Sequence, residues 1–180
     1  MNEQTVDQEF AEQKPKNPLY KKYWVGAAVV ICIILAMALF GGGDAIQDDL
    51  LDYINNDCVE MIKLDAEVHD LYEKARSSAN DYAMYTILSN EVIPQSQELR
   101  DEAEGLEIET KEVKAVHELY IDSINKQHQA FTLMLSALEN QDYVVLTQAN
   151  EKLDESKKLM RDYETALKDL AKEHDVKFKQ

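Results

Sequence analysis

Four histidines in a chain with 35 acidic residues invite one question first: is there a carboxylate and histidine metal centre? In helical proteins such a centre needs Glu-x-x-His on two helices, so that both ligands project into the core one turn apart. The residues three before each histidine are Ala66 (before His69), Lys114 (before His117), Asn125 (before His128) and Ala171 (before His174), and none is acidic. Asp65 and His69 form one i,i+4 pair, expected on an exposed face, which is too little for a metal site. No metal and no cofactor is expected.

Catalysis fares no better. His117 falls on an apolar helical stripe and is expected inside, satisfied by a neighbour such as Tyr163; general acid-base work would need a second polar group and a cleft. No Ser/His/Asp or Cys/His order sits in turns that would present a nucleophile, and no glycine-rich phosphate loop occurs. The expectation is a protein that is not an enzyme.

Two polar features have other uses. Gln127 and Ser156 lie opposite one another when the chain is folded back near Gln141, and are expected as a buried polar pair fixing register, since an unpaired buried amide costs about 1–3 kcal/mol. Lys157, Arg161, Lys168 and Lys172 recur at helical spacing as a basic face. The net charge of -16 is unevenly spread: residues 44–112 hold 19 acidic residues against 5 basic, residues 113–180 hold 12 against 10. Such a balance excludes nucleic acid, whose phosphates need clustered Lys and Arg. It suits solvation of the surface, or attraction of a basic protein partner.

The elements that must position these residues read as all-α. The run from Tyr23 to Phe40 has no charge and reaches roughly the 30 Å of a bilayer core at 1.5 Å per residue with its following glycines. Trp24 marks its interfacial edge, Cys32 its interior and Phe40 its end. Lys14, Lys16, Lys21 and Lys22 precede it and Asp44 and its acidic neighbours follow, so the positive-inside rule places the N-terminus in the cytoplasm and the remainder outside. Ile31 before Cys32 argues against lipidation. Ala36-Met37-Ala38 has the small-x-small form of a signal peptidase site, so a secreted protein cleaved at Ala38 is the alternative to a retained signal anchor.

Gly41, Gly42 and Gly43 then break the run as a hinge, with Asp44 as cap of a new helix. A first helix over 45–76 carries a stripe of Ile54, Met61, Leu64, Val68, Leu71 and Ala75; RSSAND (76–81) is expected to turn the chain, one long helix being the alternative because Tyr82 and Tyr85 continue the heptad; a second helix runs to about 104, kinked near Pro94, with Gly105 as its left-handed terminus. Thr110 caps a third helix whose stripe is Val113, His117, Tyr120, Ile124, Gln127, Phe131, Met134 and Leu138. Asp142 caps a fourth, with Leu146, Ala149, Leu153, Ser156, Met160, Tyr163, Leu167 and Leu170.

The resulting organisation is a disordered cytoplasmic tail (1–22), a transmembrane anchor (23–40), a hinge and cap (41–44), an antiparallel up-down four-helix bundle (45–175) and a basic C-terminal tail (176–180) back at the lipid surface. Cys58 is expected as a half-buried free thiol.

The order of an anchor, a helix pair ending in LSNEVIP (88–94), then EVKAVHELYIDSINKQHQAFTLMLSALENQD (112–142), resembles membrane-anchored or lipoprotein-type helical envelope proteins of Gram-positive bacteria. The resemblance spans most of residues 45–175 and implies a bacterial envelope location without an activity. The functional expectation is a single-pass envelope protein whose acidic domain works by protein binding, with the lipid bilayer and a protein of the wall space as partners and homodimerisation open. A ligand-sensing four-helix domain is the second reading.

Overall fold

The computed structural model describes residues 36–38 and 44–178. Trp24, Cys32 and Phe40, the lysines at 14, 16, 21 and 22, and the glycine hinge at 41–43 lie outside the described residues. No helix among the described residues is long and apolar enough to cross a membrane.

The fold is all-α, and each helix begins where a short polar side chain satisfies amides that the helix itself leaves free. The Asp44 carboxylate accepts from the Ile46 amide and opens α1, which comprises Ala45–Asp52, a π-helical turn at Tyr53–Asp57, and Cys58–Arg76. The turn at 77–80 follows, as RSSAND predicts, and the Asn80 side chain accepts from the Ala83 amide to open α2. That helix also has three parts: Asp81–Ile87, a π-helical turn at Leu88–Val92, and Ile93–Gly105. The irregularity predicted near Pro94 therefore takes the form of a wide turn just before it, which suits a residue that has no amide to give the preceding turn.

Gly105 does not play the left-handed role expected of it. It is the last helical residue, without positive φ, and the chain leaves through an extended Leu106 (φ -69°, ψ 132°). Leu106 packs against the core, and that contact draws the chain straight out of the helix.

Thr110 opens α3 (Lys111–Asn140), its side chain accepting from the Val113 amide. The end of α3 is built by Gln141, which is left-handed (φ 53°, ψ 39°), and by the Asp142 amide donating back to the Ala137 carbonyl at 3.0 Å. This 6→1 closure needs a left-handed residue, and Gln141 accepts the steric cost that glycine would avoid. Asp142 then accepts from the amides of Val144 and Val145 and opens α4 (Tyr143–Glu173). One residue pair thus ends one helix and begins the next.

Two short strands complete the described residues. β1 (Ala36–Ala38) pairs antiparallel with β2 (Val176–Phe178), Met37 facing Lys177. Both expectations at these places need correction. Ala36–Ala38 is extended rather than the end of an apolar helix, and Val176–Phe178 of the expected tail form a docked strand, with Val176 buried. Alanine and methionine favour helix locally, so interstrand backbone bonding overrides propensity here. Asp175, left-handed at φ 55°, redirects the chain from α4 into β2.

The helices meet along one hydrophobic core that includes Leu50, Met61, Val68, Leu88, Leu99, Phe131 and Leu153, all at most 1 % exposed. At one end Asp44, at the head of α1, faces His174, at the tail of α4, with 2.5 Å between Oδ2 and Nδ1. Gln47 donates to the His174 carbonyl at 2.7 Å, and Asp49 accepts from the Thr110 amide at 2.9 Å. Asp44 is therefore more than a cap, and the His174 bond holds its carboxyl below the usual carboxylate range.

Candidate functional site

Among the described residues, one cluster of buried polar groups draws on all four helices and meets inside the core. Tyr53 is the first residue of the π-helical turn of α1 and is fully buried. Its hydroxyl lies 3.1 Å from Nδ1 of His117 on α3 and 3.3 Å from the hydroxyl of Tyr163 on α4. The Cys58 thiol approaches the Tyr163 hydroxyl at 3.9 Å, and Nε2 of His117 lies 2.8 Å from the Ala103 carbonyl near the end of α2.

A carbonyl can only accept, so Nε2 of His117 carries the proton and Nδ1 accepts from Tyr53. The remaining protons then follow in one direction: Tyr163 donates to Tyr53, and Cys58 donates to Tyr163. The rings are packed accordingly, Tyr53 edge-on to His117 at 5.5 Å and Tyr120 tilted against Tyr163 at 5.4 Å between centroids.

Burial keeps every member neutral. It pushes the Cys58 thiol up to about 11, raises Tyr53 and Tyr163 well above the ordinary phenol value, and lowers His117 below the ordinary imidazole value. A thiol held protonated is no nucleophile, and a buried neutral imidazole with both nitrogens engaged has no free lone pair for base catalysis. The arrangement ties four helices together through directed hydrogen bonds.

Two further members of this region are less well satisfied. Tyr120, stacked at 6.3 Å from His117, has a hydroxyl with no hydrogen-bond partner among the described residues. Asp65, expected on an exposed face with His69, is in fact only 3 % exposed. Burial raises its carboxyl to about 7, with no hydrogen bond or neighbouring charge contributing. It sits on the beat Cys58, Met61, Asp65, Val68, Tyr72, Ala75, alternately three and four residues apart, all of them buried. A hydrophobic pattern passes over a carboxylate, but the spacing marks it.

His117 does lie inside, as its stripe predicts; its neighbour is Tyr53, which stands between it and Tyr163. Cys58 is buried rather than half-buried. Gln127 and Ser156 are both buried, yet the Ser156 partner is Ser123, whose hydroxyl lies 3.2 Å from the Ser156 hydroxyl and 3.0 Å from its carbonyl. Folding the chain back at Gln141 fixes height along the helices to within a turn, and does not choose between two positions one turn apart.

On the basic face, Lys157 lies 3.5 Å from Asp154 and Lys168 lies 3.5 Å from Glu164, while Arg161 and Lys172 are exposed. Lys126 on α3 and Lys152 on α4 share Glu155, at 2.9 and 2.7 Å. The remaining histidine of the core boundary, His128, meets the Ser96 hydroxyl at 2.8 Å and is lowered by burial, then by Arg100. No group of three or more metal-ligating side chains is gathered among the described residues. Comparison with protein-family models, with curated proteins and with solved structures found no match.

Proposed function

We propose that this is a single-pass envelope protein of a bacterium, resembling the anchored helical proteins of Gram-positive envelopes, whose helices pack as an antiparallel up-down four-helix bundle outside the membrane and act by binding a basic protein partner. One observation carries the reading: α1 and α2 belong to a stretch with 19 acidic residues against 5 basic, while the polar groups in the core are turned on one another. A surface of one sign speeds encounter with an oppositely charged partner and sets its orientation. The position of Asp44 beside His174 supports a domain whose two ends lie together, next to where the apolar run stops.

Cys58 is too deeply buried to report a partner, so the test uses a photo-crosslinking side chain at exposed Asp70 of α1 or Glu102 of α2 in living cells. The expected result is a basic protein captured at both positions and not at Arg161, with capture weakening as salt rises. Equal capture at all three positions, or none at the acidic pair, would sink the proposal.

A second reading rests on β1. With Ala36–Ala38 extended, residues 23–35 are what remains of the apolar run, a length of about 20 Å if helical, short of the roughly 30 Å of a bilayer core. That length suits the core of a cleavable signal, and cleavage at Ala38 would release a secreted domain whose β2 has lost its pairing strand. Mass measurement of the mature chain separates the two: retention of residues 1–38 supports the anchor, and a chain beginning at Leu39 supports secretion.

A further inference from the structure

Among the described residues, Asp65 is a carboxyl without a counter-charge in the core of a protein that has acidic groups to spare on its surface. Its layer is defined by contacts on either side. Gln95 of α2 donates to Glu67 at 3.0 Å, which sets Asp65 level with Ser96 and Leu99, both buried. On α3 the Tyr120 hydroxyl is close enough that an ionised Asp65 opposes its ionisation. An isolated carboxylate in such a place loses several kcal/mol of hydration with nothing in return, so the seated form is the neutral acid.

We propose that Asp65 is a proton-dependent latch on α1: neutral, it lets α1 seat against its neighbours, and on losing its proton it drives α1 out of that seat. In the unseated helix the carboxyl regains water and ionises at its ordinary value, so opening releases one proton. The latch does not depend on what the acidic surface binds.

The groups around it do not supply the same response. On α1 itself, Tyr53 and Cys58 are held neutral by burial, as are Tyr120 on α3 and Tyr163 on α4. On α2 the nearest charged residues are Glu98, which is exposed, and Arg100, which donates to Gln97 at 2.8 Å. His117 and His128 on α3 are lowered by burial, so opening the core around them takes up protons at acid pH, the opposite sign. A comparison at each pH between the wild type and Asp65→Asn cancels their share.

The experiment is amide hydrogen exchange of α1 in the full chain, in detergent solution, for the wild type and Asp65→Asn across pH 5 to 8. One proton released on opening changes the ratio of their protection factors about tenfold per pH unit from roughly pH 5 to 7, with a plateau above, wild-type α1 opening more as pH rises. Tyr120→Phe should keep the wild-type slope. A ratio constant with pH, or a Tyr120→Phe variant that loses the slope, would overturn the latch. Should Asp65→Asn fail to fold, carboxyl carbon NMR of the wild-type chain decides: titration near neutrality supports it, and titration in the ordinary carboxylate range rejects it.

Discussion

The α1–α2 pair and the α3–α4 pair contribute to one core in different ways. In α3 and α4, 30 and 31 residues run without interruption, joined by a two-residue turn that closes one helix and caps the other. In α1 and α2 each helix is broken by a π-helical turn, and these turns hold Tyr53, Leu88 and Val92 in the core. The irregular pair also carries the buried acid and most of the net negative charge. The long regular helices meet along a continuous seam with one buried hydroxyl pair, Ser123 and Ser156, between them, whereas the broken ones are fastened by several particular polar contacts: Tyr53 to His117 and Tyr163, Asp49 to Thr110, Ser96 to His128. Regularity and specificity have been divided between the two halves.

The sharpest test of that division is a cavity in the regular half. Phe131 of α3 is fully buried and packs at 4.9 Å from the Tyr72 ring of α1. Phe131→Ala should cost about 3–5 kcal/mol in urea unfolding, through lost burial and an unfilled space. A loss below about 1 kcal/mol would show that the α3–α4 packing is looser than its uninterrupted seam implies.

A smaller effect is expected where the polar fastening is cut. His117→Leu leaves the Ala103 carbonyl without its donor and takes the acceptor from Tyr53, at a cost of about 1–3 kcal/mol at pH 8. The pH dependence carries the sign. His117 is lowered in the folded state, so its contribution is complete above the ordinary imidazole value of 6.5 and is lost as the pH falls from there through the lowered folded value. The leucine variant should therefore lose less stability than the wild type between pH 7 and 5, and equal losses in the two proteins would refute the assignment.

The smallest change belongs to the turn. Asp142→Ala removes the carboxylate that accepts from the Val144 and Val145 amides and should cost about 1 kcal/mol, with exchange faster in the first turn of α4 and unchanged in α1. Faster exchange across α1 as well would mean that the two halves open together, and the comparison between them would fail.

Legibility followed the same division. Every residue of the predicted α3 stripe is buried, from Val113 to Leu138, and Asp44, Thr110 and Asp142 cap the helices they precede. Three of these stripe positions, His117, Tyr120 and Gln127, carry polar groups, yet an unbroken three-and-four spacing was enough to place them. On α1 the apolar stripe found Ile54, Met61, Leu64, Val68 and Ala75, but took half-buried Leu71 where Tyr72 does the packing, and missed Asp65 altogether. Leucine outweighs tyrosine and aspartate on any hydrophobic count, so the pattern followed residue type and lost the position.

The contacts that cross between helices were outside its reach. Nothing local ties Tyr53 to residues 64 and 110 positions further along, or Asp44 to His174 at the far end of the chain.

Taken by itself, the chain determined what is set by near neighbours: the helical class, the caps, the turns at 77–80 and 141–142, and the uneven charge. Those depend on backbone amides a few residues away and on a spacing that repeats within one helix. The tertiary structure decided which polar groups are buried, in what protonation state, and against whom, because dehydration is imposed by other helices and a side chain carries no record of them. It also turned Ala36–Ala38 into a strand, since the hydrogen bonds that hold it come from Val176–Phe178.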